Sequence, residues 1–167
     1  MGIFDKIDDS FKVSSLRNPD TTGTYWQRID SVDLFETRKY GEALRISKTT
    51  VKVLADPAGR AQPAGASTSE VVFQDDYLTR TLKLKAQALL GLTAQQADEL
   101  TGQDLQEIFL GDRIIGEVVE VRATEKVSKK GNPFTEVTWV RRVSPELLEE
   151  SLTEAEKAQF YPEGVTA

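Results

Sequence analysis

Short runs of β-branched and aromatic residues occur in two pairs along the chain, and turn-forming residues interrupt each pair. Such runs predict strands, and two strands joined by a short turn predict an antiparallel hairpin. In chain order, the runs and turns are 24–35, 37–41 and 42–54, then 114–126, 128–132 and 133–143.

The second run changes its apolar pattern partway along. Leu44 and Ile46 have one parity, whereas Val51 and Val53 have the other. A strand cannot change faces without an extra residue, and one bulge at 47–49 restores the alternation. We therefore predict a bent strand with a basic stripe on the face opposite the apolar one, made of Arg45, Lys48, Thr50 and Lys52.

The segment between the hairpins contains signals for a loop, a short strand and a helix. Residues 56–69 include two prolines, two glycines and four alanines, which predict a long mobile loop. A short strand is predicted at 70–73. From 77 to 90 apolar residues recur with helical spacing, and Gly91 is typical of a helix end. The chain is therefore predicted to be mainly β, with a helical insertion between the third and fourth of five strands.

Helix-start signals occur in the later part of the chain. Thr93 with Gln96 has the spacing of a capping box, and a third short helix is predicted to end at Gly111. Ser144 stands before a proline, as an N-cap residue often does, and residues 153–156 repeat the capping-box spacing. The C-terminal segment is therefore predicted to form two short helices.

Charge divides the chain into a nearly neutral body and an acidic end. The net charge is −6, and six Glu with one Lys give residues 144–167 a net charge of −5. The rest of the chain carries only −1, and the hairpin segments 24–55 and 114–143 are each locally +2. We predict a polar N-terminal arm at 1–23, a folded domain at 24–143 and an acidic tail.

The chain has no histidine and no cysteine. Zinc sites built from those residues, disulfides and Ser-His or Cys-His couples are therefore excluded. No glycine-rich phosphate-binding motif is present. A nuclease of the restriction type needs a carboxylate followed two residues later by Lys, and none of the 27 acidic residues meets this requirement. We expect a binding protein without catalytic residues, metal or cofactor, and a magnesium nuclease using Asp75 and Asp76 is the enzyme alternative.

Targeting signals are also missing from the sequence. No stretch reaches the roughly 18 consecutive apolar residues that a membrane helix needs. The first nine residues have neither a basic region nor an apolar core of the secretory type. We therefore expect a cytoplasmic protein with no membrane partner.

Cations and aromatic rings occur together in both hairpins. The second hairpin carries Lys129 and Lys130 in its turn, and Phe134 and Trp139 in its last strand; the first strand repeats the combination at 25–28. Proteins bind single-stranded nucleic acids with cations along the phosphates and rings stacked on the bases. Phe134 and Trp139 have opposite parity, so at least one of them is expected in the core.

Four motifs follow one another along the chain: Arg-Lys-Tyr-Gly at 38–41, Leu-Leu-Gly-Leu at 89–92, Ile-Gly-Glu-Val-Val-Glu-Val at 115–121 and Lys-Lys-Gly-Asn-Pro-Phe at 129–134. Their order resembles phage-encoded single-stranded-DNA-binding proteins of the OB-fold type, over about residues 24–143. The resemblance implies a five-stranded barrel whose open face covers single strands during replication or recombination. The Glu-rich ending differs from the acidic tips of bacterial single-stranded-DNA-binding proteins, which end in Pro-Phe.

We therefore predict an OB-like five-stranded barrel with helices between strands 3 and 4 and an acidic helical tail. Its predicted function is sequence-tolerant binding and protection of single-stranded DNA in phage replication or recombination, in the host cytoplasm. Replication or recombination proteins are the expected partners of the tail. A protein-binding inhibitor that mimics DNA is the alternative, although a mimic should spread carboxylates along one face. The predicted phosphate contacts are Arg28, Arg45, Lys48, Lys52, Lys126, Lys129, Lys130 and Arg141, and the predicted stacking rings are Trp26, Tyr40, Phe134 and Trp139.

Overall fold

Five antiparallel strands form one sheet in the computed structural model of the protein, which describes residues 19–165. The strand order is β3-β2-β1-β4-β5, so β3 and β5 are the edges. The mainly β class with a five-stranded antiparallel sheet is confirmed. The strands are β1 (Gly23–Thr37), β2 (Gly41–Ala55), β3 (Ser67–Val72), β4 (Val118–Val127) and β5 (Pro133–Val143).

Five helices are described, three of them between β3 and β4 and two after β5. The capping boxes predicted at Thr93 and Thr153 are present, and a third one is formed by Thr101. Gly91 ends the first helix with a φ of 65°, a conformation that glycine adopts without strain. The helices are α1 (Leu78–Leu90), α2 (Ala94–Asp98), α3 (Gly102–Leu110), α4 (Pro145–Ser151) and α5 (Glu154–Phe160).

The extra residue predicted at 47–49 of β2 is not found there, because the register shift opposite 47–48 has its extra residue, Asp30, in β1. Trp26 pairs with Lys52 and Gln27 with Thr50, which leaves Val51 as an extra residue of β2. The parity of β2 therefore changes only after Lys48 and Thr50, so both side chains share the buried face of the sheet. The predicted basic stripe is wrong, because a bulge at 47–49 would have been needed to turn them outward.

The loop before β3 is shorter than predicted, because that strand begins at Ser67. Three contacts attach the loop to the sheet. The backbone N–H of Gln62 donates to the Tyr25 hydroxyl at 3.2 Å, and that of Gly65 donates to the Thr50 carbonyl at 2.7 Å. Arg60 forms an ion pair with Glu125 at 2.7 Å, which joins the loop to β4.

The main core fills the inner face of the sheet. Ile29, Ile46 and Val121 of the strands pack there against Leu89 of α1 and Phe109 of α3. Each such side chain contributes about 1.5–3 kcal/mol when it is fully buried. The helical insertion is therefore the layer that closes this face.

A second core lies on the outer face, beneath the C-terminal helices. Trp26 and Val118 of the sheet pack there against Leu148 of α4, Leu152 between the two helices, and Phe160 of α5. The acidic segment predicted as a tail is consequently packed on the sheet over its described residues. Of the predicted N-terminal arm, residues 1–18 lie outside the described part of the chain, and Asp20 is buried inside the fold.

Candidate nucleic-acid interface

Both tryptophans predicted to stack on bases belong to the core. Trp26 and Trp139 are each only 5% exposed. The Trp26 indole N–H donates to Glu120 at 3.2 Å, and the Trp139 indole N–H donates to Glu70 at 2.7 Å. Because neither ring presents a free face to solvent, their predicted role in stacking is wrong for the fold as it stands.

Lys48 is completely buried and belongs to a charge network inside the sheet. Its ammonium group lies 2.7 Å from carboxylate oxygens of both Asp20 and Glu70, and it donates to Gln27 at 2.6 Å. On the other side of Glu70, Lys85 of α1 approaches to 2.6 Å. A phosphate cannot reach Lys48, so its predicted contact with DNA is wrong for a physical reason: the side chain lies on the inner face.

The network shifts the pKa values of its members. Burial would lower the pKa of Lys48, but the nearby Glu70 and Asp20 carboxylates more than compensate and raise it. Burial would likewise raise the pKa of Glu70, yet the charges of Lys48 and Lys85 hold it at about 2. Burial lowers the pKa of Lys85, and Glu70 offsets this only in part. The network therefore keeps Glu70 ionised at neutral pH.

The network also connects the two edges of the sheet. Glu70 belongs to β3 and Trp139 to β5, and their side chains are joined by the hydrogen bond described above. The Lys85 ammonium group lies 4.5 Å from the centroid of the Trp139 ring, a cation–π distance. The sheet is thus curved enough for side chains of its two edge strands to meet.

Five of the predicted phosphate contacts are partly exposed but already have partners. Arg28 binds Asp30 at 2.9 Å and the Phe160 carbonyl at 3.2 Å. Lys52 donates to the Ser151 carbonyl at 3.1 Å. The other ion pairs in this group are Arg45 with Asp33, Lys52 with Glu156, Lys126 with Glu136 and Arg141 with Glu120. A phosphate has to compete with a carboxylate for each of these cations.

Two predicted cations, Lys129 and Lys130, lie in the turn between β4 and β5 and are exposed. Neither forms an ion pair with any described carboxylate. The turn between β1 and β2 offers two more such cations, Arg38 and Lys39, and Arg122 on β4 is a further one. Free, solvated cations of this kind are the ones best able to bind phosphates.

Exposed rings accompany both sets of free cations. Tyr40 and Phe73 are each 37% exposed, and their ring centroids lie 5.3 Å apart with a tilt of 47°. The Lys39 ammonium group lies 5.3 Å from the Tyr40 centroid. Phe134, next to the other turn, is 46% exposed. Of the four predicted stacking rings, the structure therefore leaves Tyr40 and Phe134 accessible, and it adds Phe73.

Sequence reasoning missed Phe73 because its position depends on strand register. Leu44 pairs with Val72, so the end of β3 lies beside the turn between β1 and β2. The turn and Phe73 are more than thirty residues apart in the chain. Neither the residues of the turn nor those around Phe73 indicate that the two lie side by side. The pairing of β2 with β3 would have had to be known beforehand.

The two turns lie at opposite ends of the sheet. The first turn follows Thr37, whereas β4 pairs Ala123 with Gly23 at the start of β1 and then continues past it. The outer face between the turns carries a row of hydroxyl side chains, which we call the hydroxyl row. Cross-strand pairing places its members next to one another: Ser31, Ser47, Thr49, Ser67 and Ser69.

Tests for other kinds of site give two observations. Within residues 19–165, no three acidic side chains lie close enough together to hold a metal ion. No helix of that part of the chain is both long and apolar enough to cross a membrane.

A scan against models of known protein families and a search of curated proteins both find no match. The interpretation of the site therefore depends on the geometry of this chain.

Proposed function

We propose that the protein binds single-stranded DNA with little dependence on base sequence, and that its curved sheet is a barrel of the OB type. The observation that carries the proposal is the distribution of free cations and exposed rings. At one turn, Lys39 lies beside Tyr40 and Phe73. At the other turn, Lys129 and Lys130 lie beside an exposed ring. These two groups flank the hydroxyl row. The strand order and the contact between the edge strands are compatible with such a barrel.

This arrangement suits a polyanion with unpaired bases. Free cations attract the phosphates, and exposed rings stack on bases of any sequence. The partly exposed cations add contacts only if their ion pairs open. The primary contacts proposed here are Arg38, Lys39, Arg122, Lys129 and Lys130 for phosphates, and Tyr40, Phe73 and Phe134 for bases.

A DNA mimic fits the structure less well. Such a protein needs free carboxylates along one face, but many carboxylates of the described sheet are bound to cations. Asp33 pairs with Arg45, and Glu117 pairs with Arg142. The proposed DNA binding needs neither a cofactor nor a catalytic step.

The proposal is tested by the change in fluorescence anisotropy of labelled oligo-dT, with an RNA of equal length and a DNA duplex as competitors. The Lys129→Ala/Lys130→Ala variant should bind oligo-dT more weakly, and its log-log salt slope should shrink by about 1.4, because about 0.7 is lost per phosphate contact. The fold should be unaffected, with a change in unfolding free energy within about 0.5 kcal/mol.

The matched control is Arg80→Ala/Arg113→Ala, which removes two exposed cations from the helical insertion and the loop after it. Its affinity for oligo-dT should remain close to that of the unaltered protein. Equal losses in both double variants would mean that only net charge matters. No binding of oligo-dT by the unaltered protein at low salt would end the proposal.

A further inference from the structure

An open groove with a volume of about 430 Å³ lies between the sheet and the helical insertion. Its strand side is a row of cross-strand neighbours, Leu34, Leu44 and Val72, and its helix side includes Leu105 and Phe109. Because adjacent residues in a strand point to opposite faces, the groove lies on the face of β1, β2 and β3 that is opposite the hydroxyl row.

The described residues leave this groove open to solvent. Leu34 is 43% exposed there, and Leu110 also remains exposed. Gly102, the first residue of α3, contributes no side chain, and a Cβ built there would meet no heavy atom within 4 Å. Among the described residues that line the groove, Glu42 is the only charged one. The groove therefore suits an occupant that presents apolar side chains and little charge.

Residues 1–18 join the described chain within reach of the groove. Asp20 is buried on the inner face of the sheet, where its carboxylate lies 2.7 Å from the ammonium group of Lys48. Lys48 is four residues from Leu44 in β2, which is about 13 Å along the strand. Residues 12–18, if extended, can span about 23 Å. The residues before them can therefore lie in the groove.

The sequence of this N-terminal segment has an apolar face with helical spacing. Ile3, Phe4, Ile7 and Phe11 recur at intervals of three and four residues. On a helix these four side chains fall within an arc of about 100°, the width of the apolar stripe of an amphipathic helix. Residues 4, 7 and 11 have the i, i+3, i+7 spacing of helices that bind in apolar grooves.

We propose that the groove is the docking site of the chain's own residues 3–11, which bind there as a short helix with their apolar face toward Leu44 and Phe109. Lys6 precedes Ile7 of this face and is complementary to Glu42, the one charge at the groove. Because the segment is part of the same chain, its effective concentration at the groove is high, and a small contact area is sufficient. The inference goes beyond DNA binding and does not depend on it.

The test is crosslinking of two introduced cysteines in the full chain, which has no cysteine of its own. Ser10 is next to the apolar face on a helix, and Gln106 of α3 lines the groove and is exposed. In Ser10→Cys/Gln106→Cys a short bismaleimide should form an intramolecular crosslink at least about tenfold faster than in the matched control, Ser10→Cys/Ala158→Cys. Ala158 is exposed on α5, which packs on the other face of the sheet.

Variants of the segment and of the groove provide the second arm. Ile7→Ser/Phe11→Ser, added to the first cysteine pair, should reduce the crosslinking rate to that of the control pair. Val13→Ser/Leu16→Ser removes two apolar side chains that lie outside the apolar face and should leave the rate unchanged. Gly102→Leu, with its fold checked by circular dichroism, should also reduce the rate because its side chain fills the groove.

Three results would overturn the proposal: a first cysteine pair that crosslinks no faster than the control pair, equal losses in the two serine double variants, or no effect of Gly102→Leu. Crosslinked dimers whose yield rises with protein concentration would place the segment of a second copy in the groove, which contradicts docking within one chain.

This proposal and the proposed function can fail separately, because the crosslinking is measured without DNA. Ile7→Ser/Phe11→Ser should bind oligo-dT as the unaltered protein does, since the groove lies on the face opposite the hydroxyl row. An unchanged crosslinking rate together with weaker binding of oligo-dT in this variant would assign the two side chains to the DNA interface, and it would overturn their docking in the groove.

Discussion

Lys48 shows how strongly the environment of one residue alters its role. In the sequence it is one basic residue among several in a strand, whereas in the fold it is completely buried and balances Asp20 and Glu70. Two lysines and two carboxylates make the network neutral. Removing one member would leave an uncompensated buried charge, which typically costs about 3–5 kcal/mol.

The same network predicts how stability depends on pH. The folded pKa of Glu70 is about 2, below its ordinary value of 4.5. A lowered carboxyl pKa contributes stability that is fully present above the ordinary value and is lost as the pH falls through the folded value. We therefore expect the unfolding free energy to decrease by on the order of 3 kcal/mol from this group between pH 4.5 and 2, measured by urea denaturation.

A comparison of variants isolates this effect. Glu70→Gln is destabilised at pH 7 but should show a shallower acid dependence, and exposed Glu150→Gln should keep the original dependence. If Glu70→Gln is too unstable to measure, Lys85→Met removes one of the two stabilising cations and should move the acid transition to higher pH. An acid dependence identical in all proteins would contradict the role assigned to Glu70.

At the scale of elements, the hairpin turns differ from the strands that carry them. Strand interiors hold both tryptophans in the two cores, while rings that solvent can reach lie in a turn or next to one. A side chain in a turn lies at the surface and outside the core, so it is accessible to a ligand. Exposed rings next to turns are therefore better candidates for stacking than the larger rings inside the strands.

This difference yields a prediction for DNA binding. Tyr40→Ala should weaken oligo-dT binding by about 1–3 kcal/mol, the usual contribution of one stacked base. Val127→Ala, an exposed apolar change in the other hairpin, should have little effect. Tryptophan emission should change little on binding, because Trp26 and Trp139 are buried. Strong quenching at saturation would show that a tryptophan becomes exposed and would contradict the assignment of the rings.

At the scale of the whole molecule, the C-terminal segment has two roles that its sequence does not separate. Its apolar residues cover Trp26 and Val118, and its Glu156 pairs with Lys52 at 3.6 Å. Deleting 144–167 would expose the second core as well as remove charge. We expect that deletion to lower the melting temperature markedly, so it cannot by itself show whether the acidic residues oppose DNA binding.

A single charge removal answers that question. Glu156→Gln removes the carboxylate that pairs with Lys52, and the amide oxygen of Gln can still accept the hydrogen bond from the Thr153 backbone that closes the capping box. Oligo-dT binding should tighten at low salt and approach that of the unaltered protein near 1 M salt, where screening acts over about 3 Å. Glu150→Gln is the control for net charge. Unchanged affinity at every salt concentration would leave Glu156 with a structural role only.

Local patterns were sufficient for most of the elements. The hairpin turns, the helix ending at Gly91 and the capping boxes at Thr93 and Thr153 depend on residues within a few positions of one another. Backbone geometry and short-range hydrogen bonds decide such features, so the printed sequence contains all the information they need. The chemistry excluded by the lack of histidine and cysteine was equally determined by the sequence.

The tertiary structure decided which side chains are available. The extra residue at Val51 rather than at 47–49 turns Lys48 inward, and strand pairing brings Phe73 beside the first turn. Packing of the C-terminal helices removes Trp26 from the surface. The position of a bulge, the register of a strand and the packing of the helices on the sheet depend on contacts between residues far apart in the chain. Because side chains alternate between the two faces of a strand, an error of one residue in the register places each side chain on the wrong face.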